Sequence, residues 1–166
     1  MSIRSQQLTP ALLQVEAILS RLRGPQALTE VCRFLRHEFP HYHWVGIYRR
    51  DGDALVLDGW DGEAPTEHTR IPLARGVCGR AARENRTVVV GDVQTDPEYL
   101  ACFVDTRAEV VVPIRHPEGP ALGEIDIDGT AVNAFDRTDE RFLEQVAEKL
   151  VPFVEPDPSA PSGPSS

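Results

Sequence analysis

The chain has 166 residues, enough for one well-filled domain and too few for two comfortable ones. Its 17 basic against 26 acidic residues leave a formal charge of −9, which disfavours nonspecific binding to nucleic acid or anionic membranes, since both need basic patches. No apolar run reaches bilayer-spanning length, no signal peptide is expected, and three cysteines, an odd number, do not suggest a secreted disulfide scaffold. A cytoplasmic, reducing environment is the expected home.

Thr9-Pro10 predicts a helix start, with Thr9 as N-cap and Pro10 in the first helical position. Leu12, Leu13, Val15, Ile18, Leu19 and Leu22 continue at helical spacing until Gly24-Pro25 stops the run. A second helix is predicted over 26–39, where Leu28, Val31, Cys32 and Leu35 form an apolar stripe. Cys32 therefore reads as a buried structural thiol. From His41 the pattern turns to β: HWVGIYRR, a turn at Asp51-Gly52, ALVLDGW, then HTRIPL. A short helix beginning at Gly76 puts Cys78 in its first turn, where the helix N-terminus is expected to lower a thiol pKa. TVVV forms the next strand, and DVQTDPEYLACFVDTR is a polar loop or short helix carrying Cys102. EVVVPIR and ALGEIDIDG are two further strands joined by the turn HPEGP. Residues 136–154 form the last helix. Residues 155–166, PDPSAPSGPSS after Glu155, are too rich in Pro, Ser and Gly to build a core and are expected to be a disordered tail. Two helices, a meander of five or six strands and one closing helix predict an α+β domain on a largely antiparallel sheet.

The residues that look like chemistry lie between 71 and 114. Cys78 and Cys102 are too far apart for a CxxC motif and wrongly spaced for a zinc ribbon. The runs TVVV and VVVPI read as buried strands that can bring the two thiols together. Cys102, in a loop between strands, is the better candidate nucleophile; an incidental small hydrophobe is the alternative. Cys78 is its natural partner, although glycines on either side also suit a tightly packed small residue. Glu124, Asp126 and Asp128 share one face of a strand, and Ile125 and Ile127 the other. Such a row is usually a solvated face; inside a pocket it would raise pKa values toward general-acid work. Glu109 opens an otherwise apolar strand seven residues after Cys102, and a carboxylate entering the core there is the stronger sign. His37, His41 and His43 have no metal-binding spacing, so no metal is expected. ARGVCGRAA lacks the Lys-Ser/Thr of a P-loop.

These motifs give the chain a family resemblance. From about Trp44 to Phe153, HWVGIY, IPLARGVCGRAA, LAC at 100–102, EVVVPI and EIDID make it similar to a GAF domain, the PAS-like small-molecule-binding fold. Within that group it resembles the free methionine-(R)-sulfoxide reductases, with GVCG and EVVVPI at this spacing fairly specific together and weak alone. The resemblance implies one GAF domain over 1–154, its central sheet flanked by N-terminal and C-terminal helices. It implies that Cys102 is the attacking thiol, that Cys78 is a second family cysteine, and that Glu109, Asp126 and Asp128 bind substrate and handle protons. Trp60 corresponds to an aromatic near the pocket mouth, and Tyr99 joins the substrate-binding set. The implied reaction reduces free methionine-(R)-sulfoxide to methionine through a Cys102 sulfenic acid and a disulfide with Cys78. It needs no bound cofactor, and an external reductant such as thioredoxin restores the thiols; a homodimer is compatible with this scheme. The chain departs from the family where His68 stands in place of a commonly present third cysteine. It departs again at Tyr99 and Phe103 around Cys102, and at Ala108 before Glu109. A rival reading of the same fold is a GAF sensor or binding module that holds a small metabolite without converting it.

Overall fold

Alternation along the strands sorts the branched apolar residues to one side of a sheet and the acids to the other. The computed structural model describes residues 5–101 and 103–156. Its six strands are β1 (Trp44–Asp51), β2 (Ala54–Asp61), β3 (Arg70–Pro72), β4 (Val88–Val90), β5 (Ala108–Ile114) and β6 (Gly123–Gly129). They form one antiparallel sheet in the order β3-β2-β1-β6-β5-β4. The α+β expectation is met. Helices α1 (Ser5–Arg21), α2 (Gly24–Glu38) and α4 (Arg137–Val154) pack on one face, and α3 (Gly76–Glu84) with the described residues of the 92–107 loop (92–101 and 103–107) covers the other.

The larger core lies on the three-helix side. Val45 and Ile47, Val110 and Val112, and Ile125 and Ile127 point there from β1, β5 and β6. They meet Leu28, Val31 and Leu35 of α2 and Phe142, Leu143, Val146 and Leu150 of α4. Each such side chain contributes about 1.5–3 kcal/mol of transfer free energy, so this face anchors the domain. Cys32 sits in this core with its thiol directed at the Gly59 carbonyl (3.7 Å), and burial pushes its pKa up. It is a structural thiol, as its place on the stripe predicts.

The helix starts differ from expectation. α1 begins at Ser5 and carries Pro10 inside it, so Thr9 is not its N-cap. The additional turn brings Leu8 against the core, a contact that outweighs the one hydrogen bond Pro10 cannot donate. Gly24-Pro25 ends α1 and also starts α2, because a proline in a first turn leaves no helical acceptor unfilled. At α4 the Asp136 side chain accepts from the Thr138 and Asp139 amides while Asp139 accepts from the Asp136 amide, a reciprocal capping box. The tail expectation falls mostly on 157–166, which lie outside the described residues. Among the described residues no helix is long and apolar enough to cross a membrane.

Candidate active site

Strand register assembles an acidic patch on the face opposite the large core. Across β5, β6 and β1, Glu109 pairs with Asp128 and Asp128 with Trp44. In the next rows Val111, Asp126 and Gly46 align, then Pro113, Glu124 and Tyr48. Cross-strand neighbours of this kind hold their Cβ atoms about 4.5–5.5 Å apart, so these carboxylates crowd one another. The face is not solvated: Glu109, Glu124, Asp126 and Asp128 are all at most 5% exposed. The packing of α3 and the loop over the sheet is what removes water from them.

Compensation for this burial is incomplete. Asp128 accepts from Thr106 Oγ1 at 3.4 Å through one oxygen, and its other oxygen has no hydrogen-bond partner among the described residues. Asp126 shares a hydrogen bond with Glu109, which requires one of the two carboxyls to carry a proton, while Asp126 Oδ1 has no partner among the described residues. Glu124 meets the Cys78 thiol but no nitrogen or hydroxyl donor among the described residues. Burial accordingly pushes Glu124, Asp126 and Asp128 above the ordinary carboxylate range, and the charge of Asp126 adds to the rise at Glu124 and Asp128.

Cys78 lies in the first turn of α3, as predicted, yet its pKa moves opposite to the expectation. Burial raises it most, followed by the charges of Asp126, Glu124 and Glu109. A helix N-terminus is worth a fraction of an elementary charge, and several carboxylates in a dry site overcome it. The thiol borders a cavity of about 10 Å³ together with Ile71, Gly76, Val77, Leu100, Glu109 and Asp126. Gly76 has a φ of 73°, a conformation that suits glycine and starts α3 close to Leu100.

An aromatic group lies beside the acids. Trp60, partly buried, stacks on Trp44 with centroids 6.3 Å apart and planes at 13°, and Phe103 leans on Trp44 at 5.9 Å. A Cβ at Gly46 would sit 2.3 Å from the Trp44 ring, so this glycine gives the indole its place. Trp44, Phe103 and neighbouring residues line a second cavity of about 280 Å³. Tyr99 packs against the same smaller core. The loop holding Tyr99 is tied to α3 by Arg80–Asp96 (2.6 Å) and Arg83–Glu98 (2.9 Å).

The structure thus brings together Cys78, Glu109, Asp126 and Asp128 and places Trp60 and Tyr99 in the shell around them. Cys102 lies outside the described residues, so the Cys78–Cys102 pairing remains an expectation. Its chain neighbours are described: the Ala101 carbonyl accepts a hydrogen bond from His68 Nε2 at 3.0 Å, and Phe103 meets Trp44. His68 is itself held by Tyr48 Oη, which donates to its carbonyl at 2.8 Å. Sequence reasoning does not single out Trp44 for the pocket wall, and it names His68 and Phe103 only as departures from the family pattern. For Trp44 the signal is present, since Trp44, Gly46 and Tyr48 alternate onto the acid face.

An antiparallel sheet with a covered acidic pocket on one face and a helical layer on the other defines an α+β domain with an enclosed polar site. Residues 25–154 match the GAF domain family. The chain is 34% identical to GAF domain-containing protein A of Dictyostelium discoideum over 89% of this chain and 92% of that protein. It is 31% identical to the free methionine-R-sulfoxide reductase of Escherichia coli, over 74% of this chain and 73% of that enzyme. It also superposes on the X-ray structure of free methionine-R-sulfoxide reductase from Neisseria meningitidis in complex with its substrate. That match has a TM-score of 0.83 and 34% identity, covering 93% of this chain and 92% of the other. The chain belongs to the GAF domain family.

Proposed function

We propose that this chain is a thiol-dependent reductase of free methionine-(R)-sulfoxide. The observation that carries the proposal is the set of buried carboxylates with unpartnered oxygens, beside a cavity that no lysine or arginine lines among the described residues. Such a site favours a small cation, and the ammonium of a free amino acid supplies one. The aromatic group at Trp44 and Trp60 suits the apolar part of the same ligand. The likeness to reductases of this substrate supports the choice.

The chemistry assigns a separate step to each thiol. Cys78, held protonated by its surroundings, is a poor first nucleophile, which leaves Cys102 to attack the sulfoxide sulfur. A neutral carboxyl protonates the sulfoxide oxygen while an ionised neighbour holds the ammonium, a division that raised pKa values permit. Methionine departs with its sulfur reduced, and Cys102 is oxidised to the sulfenic acid. Cys78 then gives its proton to the adjacent Glu124 carboxylate and attacks the Cys102 sulfur. Glu124 returns that proton to the departing hydroxyl, which leaves as water as the disulfide forms. A dithiol reductant of the thioredoxin class, in the cytosol, returns both thiols.

Reductant-coupled turnover with the R and S epimers of free methionine sulfoxide tests this. The R epimer should be consumed, the S epimer spared, and Cys102→Ser inactive. Cys78→Ser should release one equivalent of methionine and stall as a sulfenic acid that dimedone traps. Tight binding of a metabolite with no methionine formed from either epimer would replace the reductase with the sensor reading.

A further inference from the structure

Histidine spacing carries no metal signal in this sequence, but the fold builds a ligand set from three separate elements. The Cys78 thiol from α3, the Glu109 carboxylate from β5 and the Asp126 carboxylate from β6 bring their ligand atoms within 4.8 Å of one another. All three border the cavity of about 10 Å³, which is room for a single ion or water. A second observation is independent of this convergence. Asp126 is 2% exposed, lines that cavity, and its Oδ1 has no hydrogen-bond partner among the described residues. A buried acceptor left this way is the place where an electropositive ligand gains most.

The geometry points to a binding site for a thiophilic divalent cation, zinc foremost, held by Cys78 Sγ and carboxylate oxygens of Glu109 and Asp126. Zinc takes sulfur at about 2.3 Å and carboxylate oxygen at about 2.0–2.2 Å, which sets tetrahedral ligand atoms roughly 3.5 Å apart. The observed cluster reaches that spacing with side-chain movements of about an ångström. Three protein ligands leave the fourth tetrahedral position unfilled by the protein. The thiolate selects zinc or cadmium over magnesium and calcium, which prefer all-oxygen shells. Glu124 and Asp128, buried beside the cluster, add negative potential of the right sign. A cation here takes the place proposed for the substrate ammonium, so zinc acts as an inhibitor of this pocket and not as its cofactor.

The test measures binding to the reduced full-length protein and does not depend on turnover. Titration calorimetry with zinc, and the ultraviolet sulfur-to-metal band on adding cadmium, should both give one ion per chain. Zinc absorption spectroscopy on the wild type should show one sulfur among oxygen neighbours. Cys78→Ser should abolish the cadmium band and weaken zinc at least tenfold; Asp126→Asn should weaken zinc at least tenfold and keep the band. Cys102→Ser should retain both. Two sulfurs in the wild-type spectrum, a band lost in Cys102→Ser, or no saturable one-to-one binding would overturn the assignment. The wild-type spectrum decides the matter even if a variant fails to fold. Zinc binding without sulfoxide reduction would leave this site standing while removing the reductase reading.

Discussion

Asp139 and Asp126 are both buried aspartates, 0% and 2% exposed, yet their pKa values move in opposite directions. Burial alone would raise both. At Asp139 it is outweighed by hydrogen bonds from His41 (2.8 Å), the Asp136 amide (2.9 Å) and Tyr42 Oη (2.8 Å), and the pKa falls. At Asp126 the hydrogen bonds with Glu109 and the Cys78 thiol and the nearby charge of His68 do not offset burial, and the pKa rises. An acid that the fold satisfies from its own donors belongs to the architecture. An acid left with an open oxygen in a cavity belongs to a ligand.

Exchanging the two acids gives the largest expected effects. Asp126→Asn should cut turnover on the order of 10²–10³-fold, the scale for a group aimed at the reacting substrate. Its melting temperature should hold or rise, because a buried carboxyl with one unpartnered oxygen is replaced by an amide that cannot ionise. Asp139→Ala should do the reverse. It strips the partner from two buried donors and opens the capping box, costing about 3–5 kcal/mol in denaturant unfolding. The folded fraction should keep the wild-type KM. Equal stability losses in the two variants would erase the distinction.

The pH dependence of stability sharpens the same contrast. For Glu124, Asp126 and Asp128 the folded pKa lies above the unfolded one, so between the two values the folded state binds more protons. Stability from these groups therefore falls as pH rises from about 4 toward their folded pKa values. Asp139, with its pKa lowered, contributes stability above its unfolded value of about 3.9 that is lost as pH falls through the folded pKa. Melting temperatures measured from about pH 4 to 8 should decline on the alkaline side in the wild type. Asp126→Asn should flatten that limb and leave the acid limb unchanged.

A smaller effect is expected at Gly46→Ala. The added methyl meets the Trp44 ring, and overpacking of this kind costs about 1–3 kcal/mol. The displaced indole should change the tryptophan fluorescence and raise KM more than it lowers kcat. An unchanged spectrum would separate Trp44 from the pocket.

The pocket side of this contrast is partly legible in the amino-acid sequence; the Asp139 side is not. The alternation in EIDID assigns the two isoleucines and three acids to opposite faces, and EVVVPI puts Glu109 at the head of a core strand. Burial of the acid face is not legible there, because it depends on α3 and the 92–107 loop folding back over the sheet. The same long-range packing reverses the expectation for Cys78. A helix start is visible in a local window, but the carboxylates that overrule it come from β5 and β6. His68 and Ala101 meet across 33 residues, and no spacing rule anticipates that contact. The early start of α1 is hidden for a related reason: Leu8 has value only once the core it packs against exists.

The central claim is that the open carboxylates receive the ammonium of a free amino acid. The most direct measurement compares turnover of free methionine-(R)-sulfoxide with its N-acetyl derivative, which keeps the sulfoxide and loses the positive charge. The free amino acid should be reduced, with kcat/KM for the acetylated compound lower by on the order of 10²-fold or more, as expected when a buried charge loses its partner. Equal rates for the two compounds would contradict the account, because the buried acids would then have no part in choosing the substrate.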